Sequence, residues 1–393
     1  MNDSTGDNAR ALRVLVACVT AGAGHVQAAA AMEEAWKLER PQDTVLRLDV
    51  LEFTSRLYRK AYLEGYLKIV AHAPELWSAF FRKSDNPKLV ARTNHARATL
   101  GRLNTPKYVK ALKDFSPDVV VATHFLPVEI MESLQHKNRL DHRPFIATVI
   151  TDFEAHALWL VPCTDLYCVA ARHTQARLLA RGVPPSKALV TGIPVARKFQ
   201  DVPARRAARK TLGLRDDLPV LLVLGGGFGL GPVGEIVQSL NQLTTPVQVA
   251  VVCGRNEALR KELATLERKH PTHLLGFVGN MQEWMSAADL VLTKPGGMTT
   301  SEALAVGRPI VVLNPIPGQE EANSDFLLEH GAAIKVNRPE DLPFRLEEIL
   351  AGKRVSDLSL KARALGNPTA AAAICQAVVA RVGHGHRQSG TSS

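Results

Sequence analysis

Apolar residues in this chain gather in short runs that alternate with stretches of helical spacing, and the alternation persists from end to end. Arg13–Val19 is a β-branched run that ends in Thr20-Ala21-Gly22-Ala23-Gly24-His25 and leads into an Ala-rich helical segment to about Leu38. Val45–Val50, Asp118–Ala122, Phe145–Ile150, Leu166–Val169 and Ala188–Val190 read as further strands. Gln200 to Asp217 is charged and strand-free, and Val220–Leu224 then opens a second series: Val247–Cys253, Leu274–Val278, Leu290–Leu292, Ile310–Leu313 and Ala333–Val336. Helical patterns fall between them, including Gln282–Ala287 and Leu342–Leu350. Uninterrupted apolar strands alternating with helices predict parallel sheets covered on both faces, hence an α/β chain of two doubly wound, Rossmann-like domains. The boundaries expected are 1–199 and 200–367, with a helix over 368–382 returning to brace the first domain and a disordered tail over 383–393.

The stretch from Leu292 to Phe326 carries the most chemistry. A strand ends in Thr293-Lys294-Pro295-Gly296-Gly297, Thr299 or Thr300 is placed to cap a helix with Glu302 in its first turn, and Gly307 stops it. The next strand feeds a loop from Asn314 to Gln319 and a helix opening with Glu320 and Glu321. Both loops leave the ligand-binding edge of a parallel sheet. Glycines at a helix start let backbone N–H groups approach an anion, and a carboxylate one turn in accepts from paired sugar hydroxyls. A nucleotide sugar fits that arrangement, with diphosphate on the glycines, ribose on Glu302 and hexose near Gln319 and Glu320. The same Gly-Gly pair is equally the mark of a tight turn. On the first domain, His25 sits at a loop-to-helix junction of the same edge, where a lone His is more often a cap or surface residue. Thr151-Asp152-Phe153-Glu154-Ala155-His156, with Trp159 close behind, leaves that edge too.

The chain has 393 residues, 46% hydrophobic and 22% charged, an ordinary composition for a globular protein. No uncharged apolar run reaches the roughly 18 residues of a membrane span. The polar N-terminus does not read as a signal peptide. Five scattered cysteines lack zinc spacing and point to a reducing compartment. Net charge is +10. Between Glu52 and Lys113 lie thirteen Lys or Arg against four Asp or Glu, interleaved with Tyr58, Tyr62, Tyr66, Trp77, Phe80 and Phe81. Such helices suit an anionic membrane surface. They are equally ordinary helices with a solvated basic face and a buried aromatic stripe. Nucleic acid shares the charge signature, but no nucleic-acid motif accompanies it.

Gly24-His25-Val26-Gln27, Val149-Ile150-Thr151-Asp152-Phe153 with His156 and Trp159, Thr191-Gly192-Ile193-Pro194, Val252-Cys253-Gly254-Arg255-Asn256, Lys294-Pro295-Gly296-Gly297 and Pro317-Gly318-Gln319-Glu320 follow in order. Together they closely resemble the diacylglycerol sugar transferases of glycosyltransferase family 28, the bacterial processive diacylglycerol β-glucosyltransferases and the plant-type monogalactosyldiacylglycerol synthases. The resemblance implies a GT-B fold and inverting transfer of a hexose from a UDP-sugar to diacylglycerol, with no metal and no cofactor. It also implies peripheral attachment to the cytoplasmic face of an anionic membrane, and it favours the membrane reading of the basic helices over the solvated-face one, with no nucleic-acid partner. By the same resemblance His25 contacts or deprotonates the acceptor hydroxyl, and Asp152 is either the base or the group that holds His25. Donor contacts fall on Gly226, Gly227, Arg255, Val278, Gly296, Gly297, Met298, Thr299, Glu302, Gln319 and Glu320. Acceptor and membrane contacts fall on Gly24, Tyr58, Tyr62, Trp77, Phe80, Phe81 and Trp159. Phe228 stands where the plant-type loop has an acidic residue, so glucose and galactose both stay open, as does processivity. The alternative on the same scaffold is a UDP-GlcNAc 2-epimerase-like isomerase or another lipid-acceptor glycosyltransferase.

Overall fold

The computed structural model describes residues 10–20, 22–56, 58–61, 65, 69, 73–225 and 232–389. Among them twelve strands form two six-stranded sheets, parallel throughout. The first holds β1 (Arg13–Cys18), β2 (Thr44–Asp49), β3 (Val119–Ala122), β4 (Phe145–Val149), β5 (Leu166–Val169) and β6 (Ala188–Val190), in the order β2-β1-β3-β4-β5-β6. The second holds β7 (Val220–Leu224), β8 (Gln248–Val252), β9 (Thr272–Leu275), β10 (Leu290–Thr293), β11 (Ile310–Leu313) and β12 (Ala333–Val336), in the order β12-β11-β10-β7-β8-β9. Strand order reverses between β1 and β3 in one sheet and between β7 and β10 in the other. Crevices open at such switch points because the loops on either side run in opposite directions.

The first sheet is flanked by α1 (Ala23–Glu39), α2 (Pro74–Ser84), α3 (Pro87–Asn104), α4 (Pro106–Phe115), α5 (Phe125–His136) and α6 (Arg172–Ala180). The second carries α7 (Arg205–Leu212), α8 (Val233–Leu240), α9 (Glu257–Thr265), α10 (Met281–Ala287), α11 (Gly297–Val306), α12 (Glu321–Glu329), α13 (Leu342–Leu350) and α14 (Arg354–Leu365). Then α15 (Ala370–Ser389) crosses back. Its Ile374, Cys375 and Val378 are buried with Met32 and Trp36 of α1 against the first sheet. The other face of that sheet is covered by Tyr108, Leu112, Ile130 and Met131. A further cluster belongs to neither half alone: Ala28, Phe153, Ile193 and Phe199 pack with Met298, Leu304 and Phe326. The halves therefore share apolar core at their junction. The return crossing is tight as well. Asn367 Nδ2 donates to the Thr191 carbonyl at 2.7 Å, and a Cβ on Gly192 would come within 2.9 Å of the Asn367 Cβ.

Three details depart from the sequence reading. Gly296 caps α11 and the helix begins at Gly297, so Thr299 and Thr300 lie inside it and Glu302 falls in its second turn. Pro74, Pro87 and Pro106 each open a helix, as a residue lacking an N–H does best at a first turn. The strand read over Leu274–Val278 is Thr272–Leu275. Residues 383–389, expected to begin a disordered tail, continue α15, and 390–393 lie outside the described residues.

Ile374 is fully buried between α15 and the first sheet. Ile374→Ala is expected to lower unfolding free energy by about 2–5 kcal/mol in chemical denaturation, the usual cost of truncating a buried Ile. A loss below about 1 kcal/mol would mean that α15 does not brace the first domain.

Candidate active site

On the first domain the site starts where β1 ends. Gly22 takes φ 109°, a conformation open to glycine, and turns the chain into α1 with His25 in its first turn. The register of β1 on β3 sets Ala17 opposite Ala122, which brings Thr123 beside that turn. Thr123 then clamps His25 twice. Its carbonyl oxygen lies 2.7 Å from His25 Nδ1, and its hydroxyl donates to the His25 carbonyl at 2.8 Å. The Thr151 hydroxyl oxygen is 3.0 Å from the same Nδ1. A carbonyl only accepts, so Nδ1 carries the proton and Nε2 keeps its lone pair. Around the ring stand His124, edge-on at 4.8 Å between centroids, and Trp159 at 6.2 Å. Burial pushes the His25 pKa down to about 4, so the imidazole is neutral throughout the physiological range.

The second domain meets this edge with α11. A Cβ on Gly297 would sit 1.9 Å from the Thr151 carbonyl oxygen, and one on Gly24 would sit 3.3 Å from Met298 Cγ. The two helix starts are therefore in contact, and at Gly297 only glycine fits. Asn323 of α12 joins the domains with every polar atom. Its Oδ1 accepts from Phe153 N at 2.8 Å, and its Nδ2 donates to Asp152 Oδ1 at 3.1 Å and to the Pro295 carbonyl at 3.0 Å. Beside them Lys294 Nζ pairs with Glu320 Oε1 at 2.7 Å, while Glu320 Oε2 accepts from Ile316 N at 2.9 Å. Burial, with Glu320 nearby, raises the Asp152 pKa to about 6 against the Asn323 bond and Lys294, which lower it. Burial alone raises Glu302 to about 7, opposed by Lys198. Among the described residues the Glu302 carboxylate has no hydrogen-bond or ion-pair partner.

Not every expected residue is where the sequence reading put it. Asp152 does not hold His25: Thr123 and Thr151 do, and Asp152 faces Asn323 instead. Met298 is buried against Gly24, so its side chain joins the domains. Tyr58 packs onto the core beneath β1 and β3, and Trp159 is buried in the wall beside His25, so neither offers its ring to a bilayer. Gly296 lies against Glu320 at the edge of the second sheet. Thr299 and Gln319 are half-buried there, and Val278 lines the shared core. Arg255 is exposed, its guanidinium 5.5 Å from the Phe277 ring. Trp77 lies 5.9 Å from Phe80 and 6.0 Å from Phe81 on α2, and Phe80 is exposed. Phe81 abuts Gly318 of the donor-side loop. Gly226, Gly227 and Tyr62 lie outside the described residues. Sequence reasoning missed Asn323, Thr123 and His124 as site residues. An Asn on the inner face of a helix that follows a Pro-Gly loop was the available signal for the first.

Known proteins place this geometry. The family model for monogalactosyldiacylglycerol synthase matches residues 25–195, and that for the glycosyltransferase family 28 C-terminal domain matches 220–376. A processive diacylglycerol β-glucosyltransferase of Bacillus pumilus is 30% identical over 84% of this chain and 84% of its own length. The chain belongs to this family of diacylglycerol glycosyltransferases. Monogalactosyldiacylglycerol synthase 2 of Arabidopsis thaliana is 29% identical over 92% of the chain and 79% of its own length. Acinetobacter baumannii MurG superposes with a TM-score of 0.58 at 18% identity, over 93% of this chain and 98% of that one. The rhamnosyltransferase SpnG gives 0.60 at 16%, over 91% and 98%. The fold is GT-B. A putative UDP-N-acetylglucosamine 2-epimerase from Listeria monocytogenes also superposes, at 0.60 and 14% identity over 95% and 97%, so the fold by itself does not separate transferase from isomerase. The relatives in sequence do.

Gly297→Ala is expected to force the domains apart. Small-angle scattering should show a larger radius of gyration than the parent, and a superimposable curve would mean the Thr151 contact is not what closes the cleft.

Proposed function

We propose that the protein transfers a hexose from a UDP-sugar to the free hydroxyl of diacylglycerol, with inversion at the anomeric carbon and with His25 as base. The observation that carries this is a neutral imidazole, held through Nδ1, on a helix start in contact with α11, which carries Glu302, a carboxyl group without a hydrogen-bond or ion-pair partner among the described residues. Uridine ribose is a diol, and Glu302 offers it two acceptor oxygens. The N–H groups at the start of α11 face the diphosphate. Gln319 and Glu320 stand one loop away for the hexose. His25 Nε2, which keeps its lone pair, takes the alcohol proton as the oxygen attacks. Protein groups, and no bound metal, balance the leaving diphosphate. Attack from the face opposite that diphosphate gives inversion.

Incubation with UDP-glucose or UDP-galactose and diacylglycerol in anionic vesicles should yield UDP and a glycolipid, unaffected within about twofold by a chelator. No glycolipid from either donor would sink the reading. The pH profile of kcat/KM distinguishes the two candidate bases. With His25 as base the rate holds down to about pH 4, where the imidazole protonates, whereas a limb near pH 6 would move the role to Asp152. His25→Ala should lower kcat by about a hundredfold or more and leave UDP affinity within a few-fold.

The acceptor comes from a lipid surface, and α2 and α3 are suited to one. Leu76 is 70% exposed and Phe80 61%, one turn apart on α2, with Arg82 and Lys83 exposed beside them. On α3, Leu89, Leu100 and Leu103 are exposed along one stripe, opposite the buried Val90, Ala98 and Gly101. No helix among the described residues is long and apolar enough to cross a membrane. Replacing Leu76 and Phe80 together by Asn should reduce co-sedimentation with phosphatidylglycerol vesicles at least about tenfold at any salt. Replacing Arg82 and Lys83 by Gln should matter mainly at low salt. Sedimentation unchanged by both would remove the membrane role of α2.

A further inference from the structure

The donor reading leaves one charge unexplained. A nucleoside diphosphate departs with at least two negative charges, and helix-start N–H groups supply only partial positive charge. Three cations stand near the cleft edge of the second domain. Arg255 is exposed over Phe277, and Lys198 is bonded through Nζ to the Gly279 carbonyl at 2.7 Å. The third is Lys294, the first residue beyond β10. Thr293 at the end of β10 pairs in register with Leu224 at the end of β7, so Lys294 emerges at the switch point of the second sheet. Of the three it is the one with an ion pair among the described residues, bonded to Glu320, and Asp152 feels it as well.

We propose that Lys294 is the cation that receives the departing diphosphate, and that its pair with Glu320 is the unloaded position of a two-position switch. The inference rests on the donor reading above and deepens it. The side chains differ in freedom. Glu320 is 6% exposed and anchored by Ile316 N, whereas the Lys294 side chain is 24% exposed on a flexible stem. An incoming diphosphate carries more charge than one carboxylate and draws the ammonium away. Glu320 Oε1, lying against Gly296, is then free to accept from a hexose hydroxyl. In the transfer the bond between the anomeric carbon and the β-phosphate oxygen breaks, and its electron pair goes to that oxygen. The acceptor alcohol oxygen bonds to the carbon, and its proton goes to His25 Nε2. Lys294 hydrogen-bonds the leaving oxygen and keeps its own proton. Once the hexose has gone, Glu320 has lost its sugar partner and pulls Lys294 back, which releases UDP.

Calorimetric titration with uridine and with UDP separates this role from a structural one. Lys294→Met should weaken UDP about ten- to a hundredfold, the range of a charge-assisted bond, while uridine stays within about twofold. Retained uridine binding also reports an intact fold. Lys294→Arg should keep UDP within about tenfold of the parent. Glu320→Gln should tighten UDP, because no carboxylate competes for the ammonium, and should lower kcat. Equal losses of uridine and UDP in Lys294→Met, unchanged UDP in that variant, or UDP weakened in Glu320→Gln would each overturn the switch. No heat from the parent protein with either ligand would overturn the donor reading itself, and the switch with it.

Discussion

Thr151 is in two places at once, and the site depends on it. Its carbonyl oxygen lies where a side chain on Gly297 would have to go, and its hydroxyl meets His25 Nδ1 at 3.0 Å. The residue that sets how closely the second domain approaches therefore also helps fix the tautomer of the imidazole. Asn323 reinforces the arrangement from the other side by pinning Asp152 and Phe153, and Phe153 stacks on Phe326 with 4.5 Å between ring centroids. Domain closure and orientation of the imidazole are one structural event, because the same short loop after β4 takes part in both.

That closure explains the electrostatics. His25, Asp152 and Glu302 are each shifted toward the neutral form, and burial is the first cause in every case. They come from both domains, so the low-polarity environment that shifts them exists only where the domains meet. A cleft that favours neutral groups strengthens the charge interactions that remain, Lys294 with Glu320 above all. It also keeps bulk water from an anomeric carbon that water could attack in place of an alcohol.

The sheets were readable because parallel strands buried on both faces are continuous apolar runs, and several, such as Leu166–Val169 and Ile310–Leu313, match residue for residue. The helix start at Gly297 was not. Local capping rules favoured Thr299 or Thr300, but the glycines answer to a contact with a loop far away in sequence, which no local rule contains. The holding role expected of Asp152 failed for the same reason. A carboxylate near a histidine suggests a holding role, and only the three-dimensional arrangement shows two threonines doing it while an Asn from the other domain takes the carboxylate. Tyr58 looked like part of an interfacial aromatic group because its period fits either side of a helix, and period alone does not say which face is inward.

The same logic ties the exposed helix to the chemistry. Its outer face shows Leu76 and Phe80, but its inner end is fastened at several points. The Phe81 carbonyl lies 3.0 Å from His156 Nε2, and Asp85 accepts from Ala157 N at 2.7 Å and from both Arg181 terminal nitrogens at 2.7 Å. His156 and Ala157 begin the short turn that carries Trp159 into the wall beside His25. Phe81 meanwhile fills the space against Gly318, one residue before Gln319. A side chain on Gly318, which has φ 79°, would strain the loop while only reaching ordinary contact with Phe81. So α2 is held to the aromatic wall of the first domain and touches the sugar-side loop of the second. Whatever docks on its exposed face does so within reach of both halves of the site.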